Sequence, residues 1–226
     1  MEFIKPSAEI LSVTPGALKM IEIAGRTCYK SEDKITNNSA EGFVNMLISR
    51  GHHAMVEFAD IIVKCKTDRG VSHELVRHRH CSFAQESTRY VTYDKENIEY
   101  IKPAWCSEKL LGIWSLDNGP FAPNIEHGAE RIILSKKEAK FVNSCLQNEK
   151  DYIDLLAEGW IPQQARQVLN NSLKTEICVK TNLRDWINIM RLRYSKLAHP
   201  NMQELMKIIR GQFGEIFPSV FKPKTL

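Results

Sequence analysis

Two stretches of strict alternation, far apart in the chain, do most to limit its architecture. Ala59, Ile61, Val63 and Cys65 alternate with Asp60, Ile62, Lys64 and Lys66; Leu173, Thr175, Ile177 and Val179 alternate with Lys174, Glu176, Cys178 and Lys180. Side chains two apart share one face of a strand, so each stretch reads as a strand with one buried side. Elsewhere apolar residues recur at helical spacing. Thr14-Pro15 is expected to open a helix to about residue 29, with Thr14 as N-cap and Pro15 first in the helix. Asn38-Ser39 opens another, with Phe43, Met46, Leu47 and Ile48 on its apolar side. Asp68-Arg69-Gly70 reads as a turn, 71–79 as a helix and 103–123 as loop. A long helix is expected over 134–158, a short one from Pro162, and two more over 182–197 and 202–212. Few strands among many helices predict an α+β chain. We expect a single domain over 1–226, its helices packed around a central mixed or antiparallel sheet.

The rest of the composition removes whole classes of function. At 43% hydrophobic and 26% charged, the 226 residues are neither disordered, collagen-like nor coiled coil. No apolar run approaches bilayer length and the N-terminus lacks a charged-then-apolar signal pattern, so the expectation is a soluble, cytoplasmic protein with no membrane partner. With 31 basic against 27 acidic residues the net charge is +4, too balanced for bulk nucleic-acid binding. It leaves room for a local basic pocket for a small anion. Six cysteines lie spread out with no C-x-x-C pair, which suggests reduced, mostly buried thiols. The chain has no G-x-G, no P-loop and no G-x-S-x-G. A nucleotide ligand must therefore be held by side chains and by strand or helix ends.

Histidine is unevenly placed: five of seven lie at 52, 53, 73, 78 and 80. Clustering suggests a metal, and with it a metal-dependent nucleotide hydrolase. Spacing argues against it: there is no H-E-x-x-H, and on a helix His78 and His80 diverge by about 200°. No metal site is expected. The segment 69–93 favours an anion instead. Its four arginines meet only Glu74 and Glu86, and Phe83, Tyr90 and Tyr93 interleave with the polar groups as in a pocket wall. Arginine forks match phosphate oxygens, while Gln85 and Glu86 can read the amide edge of a base. A non-catalytic RNA-binding module built on 77–93 is a further reading, weakened by the balanced charge.

Arg77-His78-Arg79, seven residues and then Ser87 form the pattern R-H-R-x7-S, followed by Thr88-Arg89-Tyr90. This resembles the signature of the flavin-dependent thymidylate synthases. Three more segments agree in order. Gly51-His52 with Glu57 resembles G-H-x4-E, and Ala165-Arg166 with Leu169 resembles A-R-x-x-L. Asn182-Leu183-Arg184, Asn188 and Leu192-Arg193 resemble N-x-R-x3-N-x3-L-R. The sequence departs from the pattern at Ala54, where many members carry Ser or Thr; at Ala84, where Asn is frequent; at Gln85, where Glu is frequent; and at Asn170, where Pro often stands.

The resemblance implies that the chain makes dTMP from dUMP, with methylenetetrahydrofolate giving the carbon and NADPH-reduced FAD the hydride. No cysteine nucleophile is involved, so Cys81, inside the signature, is incidental or structural. It implies dUMP contacts at Glu74, Leu75, Val76, Arg77, Gln85, Glu86, Ser87, Thr88, Arg89, Arg166 and Arg193. It implies FAD contacts at His52, Ala54, Arg77, His78, Arg79, Gln85, Asn182, Leu183, Arg184 and Asn188. Arg193 is the implied catalytic residue, stabilising the uracil ionised at N3. The family binds FAD between subunits of a homotetramer with shared sites. His53, His73 and His80 receive no fixed role. The spacing places Asn182 and Arg193 about 20° apart on one helix, with Trp186 and Met190 beside them and Asn188 pointing away.

Overall fold

Both alternating stretches are strands in the computed structural model, which describes residues 1–93, 98–115, 124–125 and 134–221. In chain order the elements are β1 Glu2–Ile4, β2 Ser7–Val13, α1 Ala17–Thr27, α2 Ser39–Ser49, β3 Asp60–Asp68, α3 Arg69–Leu75, β4 Ser82–Gln85 and β5 Glu99–Ile101. There follow β6 Gly112–Ser115, β7 Asn124–Ile125, α4 Lys136–Ala157, α5 Pro162–Ala165, β8 Lys174–Asn182, α6 Leu183–Arg193, α7 Pro200–Ile216 and α8 Pro218–Phe221. The α+β class is as expected. The strands form two four-stranded sheets, ordered β5-β1-β6-β7 and β2-β3-β8-β4, where one central sheet was expected. Of the loop expected over 103–123, residues 116–123 lie outside the described residues, and the rest contains β6.

The chain divides into two units: Met1–Pro6, Lys66–His73 and Gln85–Glu176 form the first, and Ser7–Cys65, Glu74–Ala84 and Ile177–Leu226 the second. In the first, β1 pairs parallel with β5 and antiparallel with β6, so its sheet is mixed. Phe3, Tyr100, Trp114, Val142, Leu146 and Tyr152 bury together as its core, supplied by this sheet and one stripe of α4. Ser135 and Glu138 start α4 with a reciprocal cap, each side chain accepting the other's backbone N–H. In the second unit, Ile61 and Val63 of β3 and Ile177 and Val179 of β8 are buried, as their alternation requires. Trp186, Ile189 and Met190 form the buried stripe of α6. Trp186 meets Phe213 of α7 edge-on at 5.2 Å and donates from its indole to the Ile61 carbonyl at 3.3 Å. Burying one such side chain stabilises by about 3 kcal/mol.

Three local expectations are corrected. The first helix begins at Ala17, after Gly16 in a left-handed conformation at φ 62°, and not at Pro15. Thr14 is not its cap: its hydroxyl accepts from the Asp60 N–H at 2.9 Å, tying the segment to β3. Asp68-Arg69-Gly70 is not a turn; β3 runs directly into α3, and Asp68 Oδ1 caps the helix by accepting from Val71 N–H at 2.7 Å. That helix ends at Leu75 rather than 79. The Arg77 and His78 N–H groups bond back to the carbonyls of Glu74 and Leu75, a tightening that closes the last turn. His80 then takes φ 66°, which ends any helical continuation. The long helix (α4) and those from Asn182 (α6) and His199 (α7) appear within a few residues of expectation, except that the last continues to Ile216.

Candidate functional site

In the first unit, two arginines face one cavity. Arg69, His73, Thr88, Arg166, Gln167, Leu169, Asn170, Asn171 and Leu173 line a space of about 300 Å³. The junction of β3 and α3 delivers Arg69; the short helix after Pro162 delivers Arg166, whose Nη1 donates to Thr88 Oγ1 at 3.0 Å. Arg69 Nη1 is buried and has no hydrogen-bond partner. A buried guanidinium nitrogen left unpaired is costly unless an anion completes it. Two guanidinium groups, a histidine and three carboxamides give this cavity the donors that suit a phosphate-bearing ligand. Asn170 is held here by donating to Cys145 Sγ and accepting from Ser172 N–H, bonds that a proline in its place could not make.

The neighbouring signature residues of this unit divide. Gln85 donates from Nε2 to Ser72 Oγ at 2.9 Å and Thr175 Oγ1 at 3.1 Å, so both amide hydrogens are used and its carbonyl oxygen is the group left to offer. Glu86 is not free to read a base: Tyr93 donates to one carboxylate oxygen at 2.8 Å, and the Glu176 N–H and Lys174 Nζ to the other. Ser87 Oγ accepts from Arg89 N–H at 3.3 Å, and the exposed Arg89 guanidinium lies 5.4 Å from the Tyr90 ring centroid.

In the second unit a larger cavity of about 680 Å³ is lined by His53, Glu57, His80, Asn182, Arg184, Asp185, Ile187, Asn188 and Arg191. Its volume is that of a typical cofactor pocket. Asn182 sits at the start of α6 because its side chain accepts from Asp185 N–H at 2.9 Å, a helix N-cap. Arg184 and Asn188 lie one turn apart on the same helix, and Arg184 pairs with Glu57 of the turn 53–58. The donor set of two arginines, two histidines and two carboxamides fits a dinucleotide held without a glycine-rich loop. His80 reaches this pocket from its left-handed backbone, with its carbonyl accepting from Thr181 Oγ1.

Arg193 ends α6 at the edge of the buried stripe. Its Nη1 donates to Glu74 Oε2 at 2.7 Å, its Nη2 to the Glu74 carbonyl at 3.2 Å, and its Nε to His78 Nε2 at 2.9 Å. Burial and the Arg193 charge lower the proton affinity of His78, and Asp185 partly restores it. Burial raises Cys81, and pushes Cys65 and Cys145 up to about 12, so none of these three thiols is prepared as a nucleophile. Among the described residues no three His, Cys, Asp or Glu side chains group as metal ligands.

The profile of the family described as "Thymidylate synthase complementing protein" matches residues 9–219. The chain belongs to the flavin-dependent thymidylate synthase family. It is 30% identical over 211 residues to the flavin-dependent thymidylate synthase of Corynebacterium aurimucosum, covering 88% of this chain and 78% of that one. It is 29% identical to that of Mycobacterium tuberculosis strain H37Rv, covering 91% and 79%. The solved structure of a UMP/dUMP methylase PolB from Streptomyces cacaoi bound with 5-Br dUMP shares the fold, with TM-score 0.73 at 18% identity over 97% of this chain and 94% of that one. The defining reaction of flavin-dependent thymidylate synthases is the reductive methylation of dUMP to dTMP, and this member is an enzyme of that class.

Against that membership, the residues named from the sequence fall into groups. Thr88 and Arg166 line the anion pocket; Asn182, Arg184 and Asn188 line the larger one; Glu74, His78 and Arg193 form one cluster. Leu75 and Leu183 are buried in the second unit, so only their backbones could meet a ligand, and the Leu183 N–H is already given to Ala59. Val76, Arg77, Arg79, His52 and Ala54 are exposed, and none of them lines either cavity. Sequence reasoning missed Arg69, His73, Gln167 and Asn171 in the anion pocket, and His53, His80, Asp185, Ile187 and Arg191 in the other. A clue was available for Arg69: it is one of the four arginines of the basic 69–93 segment.

Proposed function

We propose that dUMP places its phosphate between Arg69 and Arg166 in the first unit, and that FAD lies along the pocket of His53, His80, Asn182, Arg184, Asn188 and Arg191 in the second. The observation that carries the first assignment is the buried, unpartnered Arg69 nitrogen in a cavity that Arg166 shares. The second rests on the donor set and volume of the larger cavity. When bound, the flavin supplies the hydride, drawn from NADPH, while methylenetetrahydrofolate supplies the carbon.

With no thiolate to attack the base, C5 of uracil must become electron-rich by another route. Arg193, permanently cationic, stabilises negative charge on the uracil edge as N3 loses its proton, which raises electron density at C5. Gln85 offers the remaining amide oxygen as an acceptor. Arg77, Arg79 and Arg89 are exposed cations in a single chain. They support a homotetramer in which one chain's signature completes sites shared with others, so that isolated chains hold flavin poorly. Its free, dispersed thiols support a place in the reducing cytoplasm.

Two variants test the assignment of pockets. Arg166→Ala is expected to raise the Kd for dUMP about 10- to 100-fold, the worth of a charge-assisted contact, with the flavin still bound. Arg184→Ala is expected to lose flavin while still binding dUMP. The reverse pattern, or loss of both ligands in each folded variant, overturns the assignment.

A further inference from the structure

Three of the five donors of the Arg193 guanidinium are engaged within the second unit, one on each nitrogen. Glu74 takes Nη1 with its carboxylate and Nη2 with its carbonyl; His78 takes Nε. The Glu74 contacts fix the outer edge. The His78 contact fixes rotation about the bond from the side chain to the guanidinium, and so the plane in which Arg193 presents its charge. Arginine carries five donors and no acceptor. His78 Nε2, at 2.9 Å from Arg193 Nε, therefore supplies a lone pair, which places the ring proton on Nδ1 and makes the imidazole neutral.

We propose that His78 is a positioning residue for Arg193, holding its guanidinium in the working plane only while the imidazole is neutral, so that protonation of this one ring sets the acid limit of turnover. The proposal rests on the reading of Arg193 as the group that stabilises the uracil anion. A protonated His78 turns N–H against N–H, loses the hydrogen bond and sets two cations side by side. The charged groups facing His78 are Arg193 and Asp185, both on α6, with Glu74 of α3 paired to Arg193. Burial and Arg193 oppose the proton, and Asp185 favours it less strongly. The balance keeps the ring neutral below the usual histidine value of about 6.5, so the device stays set through neutral pH and releases only in acid. The sign is that of a group with depressed affinity: the neutral arrangement is complete above the usual value and is lost as pH falls through the folded one. The phosphate contacts proposed at Arg69 and Arg166 do not pass through His78, so the loss falls on kcat more than on KM for dUMP.

Imidazole nitrogen NMR on the flavin-free protein reads the device directly. The expected result is an Nδ1–H tautomer that titrates below the usual value, and a shift upward in Arg193→Gln. In steady-state assays with saturating flavin, wild-type kcat is expected to fall on the acid side at the NMR midpoint. His78→Gln, whose side-chain amide reaches the Nε2 end of the ring and keeps an acceptor that does not titrate, is expected to move that limb down by about one pH unit or more. His78→Leu is expected to lose about 100-fold in kcat at every pH, the cost of a misplaced group. An Nε2–H tautomer, a titration indifferent to Arg193→Gln, or a wild-type acid limb in His78→Gln overturns the proposal. Failure of the functional reading itself is a different result: no dTMP from the wild type at any pH, with the NMR behaviour intact.

Discussion

Single groups decide what each pocket can do. Arg69 is the clearest case, because its buried Nη1 has no partner and lines a cavity with a second arginine. Arg69→Ala is expected to weaken dUMP binding about 10- to 100-fold, read by calorimetric titration. An unchanged Kd would show that the phosphate goes elsewhere. Cys81 is the opposite case, a thiol inside the signature whose proton is held more tightly than usual by burial. Cys81→Ala is expected to keep its turnover; an inactive but folded variant would reveal thiol chemistry. At this scale the sequence was partly legible. Motif spacing located Arg166, Asn182, Arg184, Asn188 and Arg193 near ligand-sized cavities or a defined cluster. It could not separate side chains that reach a pocket from those spent on structure. Glu86 is spent on Tyr93, Lys174 and the Glu176 N–H, and Leu183 on the core. His80 reaches its pocket through a positive φ, a backbone choice that a histidine does not announce.

Elements set the accuracy with which those groups are placed. α6 carries Asn182 at its head and Arg193 at its last residue, and its buried stripe of Trp186, Ile189 and Met190 fixes its rotation. Removing the head cap in Asn182→Ala is expected to cost about 1 kcal/mol in chemical denaturation and to lower flavin affinity as well. An unchanged denaturation midpoint would mean that the cap does not stabilise the helix. α1 and α2 depend on close approach: a Cβ at Gly25 would lie 2.6 Å from the Phe43 ring, so glycine is the residue that fits. The strands β3 and β8 were legible because one face is buried along their length. β2 was not, since none of its seven residues is fully buried and no apolar alternation marks it. β1 is three residues long, too short for a period to show. The β3–α3 junction was misread as a turn because Asp-Arg-Gly satisfies turn chemistry as well as it satisfies a capped helix start.

At the scale of the molecule, the two units each carry a cavity of different lining: one with Arg69 and Arg166 in the first, a larger mixed-donor one in the second. The α+β class followed from counting strands against helices; the division into two sheets did not, because pairing between distant segments leaves no local trace. The proposed sharing of sites among chains makes flavin retention depend on assembly. Conditions or interface variants that yield isolated chains, judged by light scattering, are expected to release FAD. Monomers that keep their flavin at unchanged affinity would contradict shared sites. The central claim is tested most directly by product analysis. Protein stripped of bound flavin is given dUMP, methylenetetrahydrofolate and NADPH, with and without added FAD. The account predicts dTMP in step with NADPH oxidised, and none when flavin is left out. dTMP formed equally well without flavin, or no dTMP from the complete mixture, would contradict it.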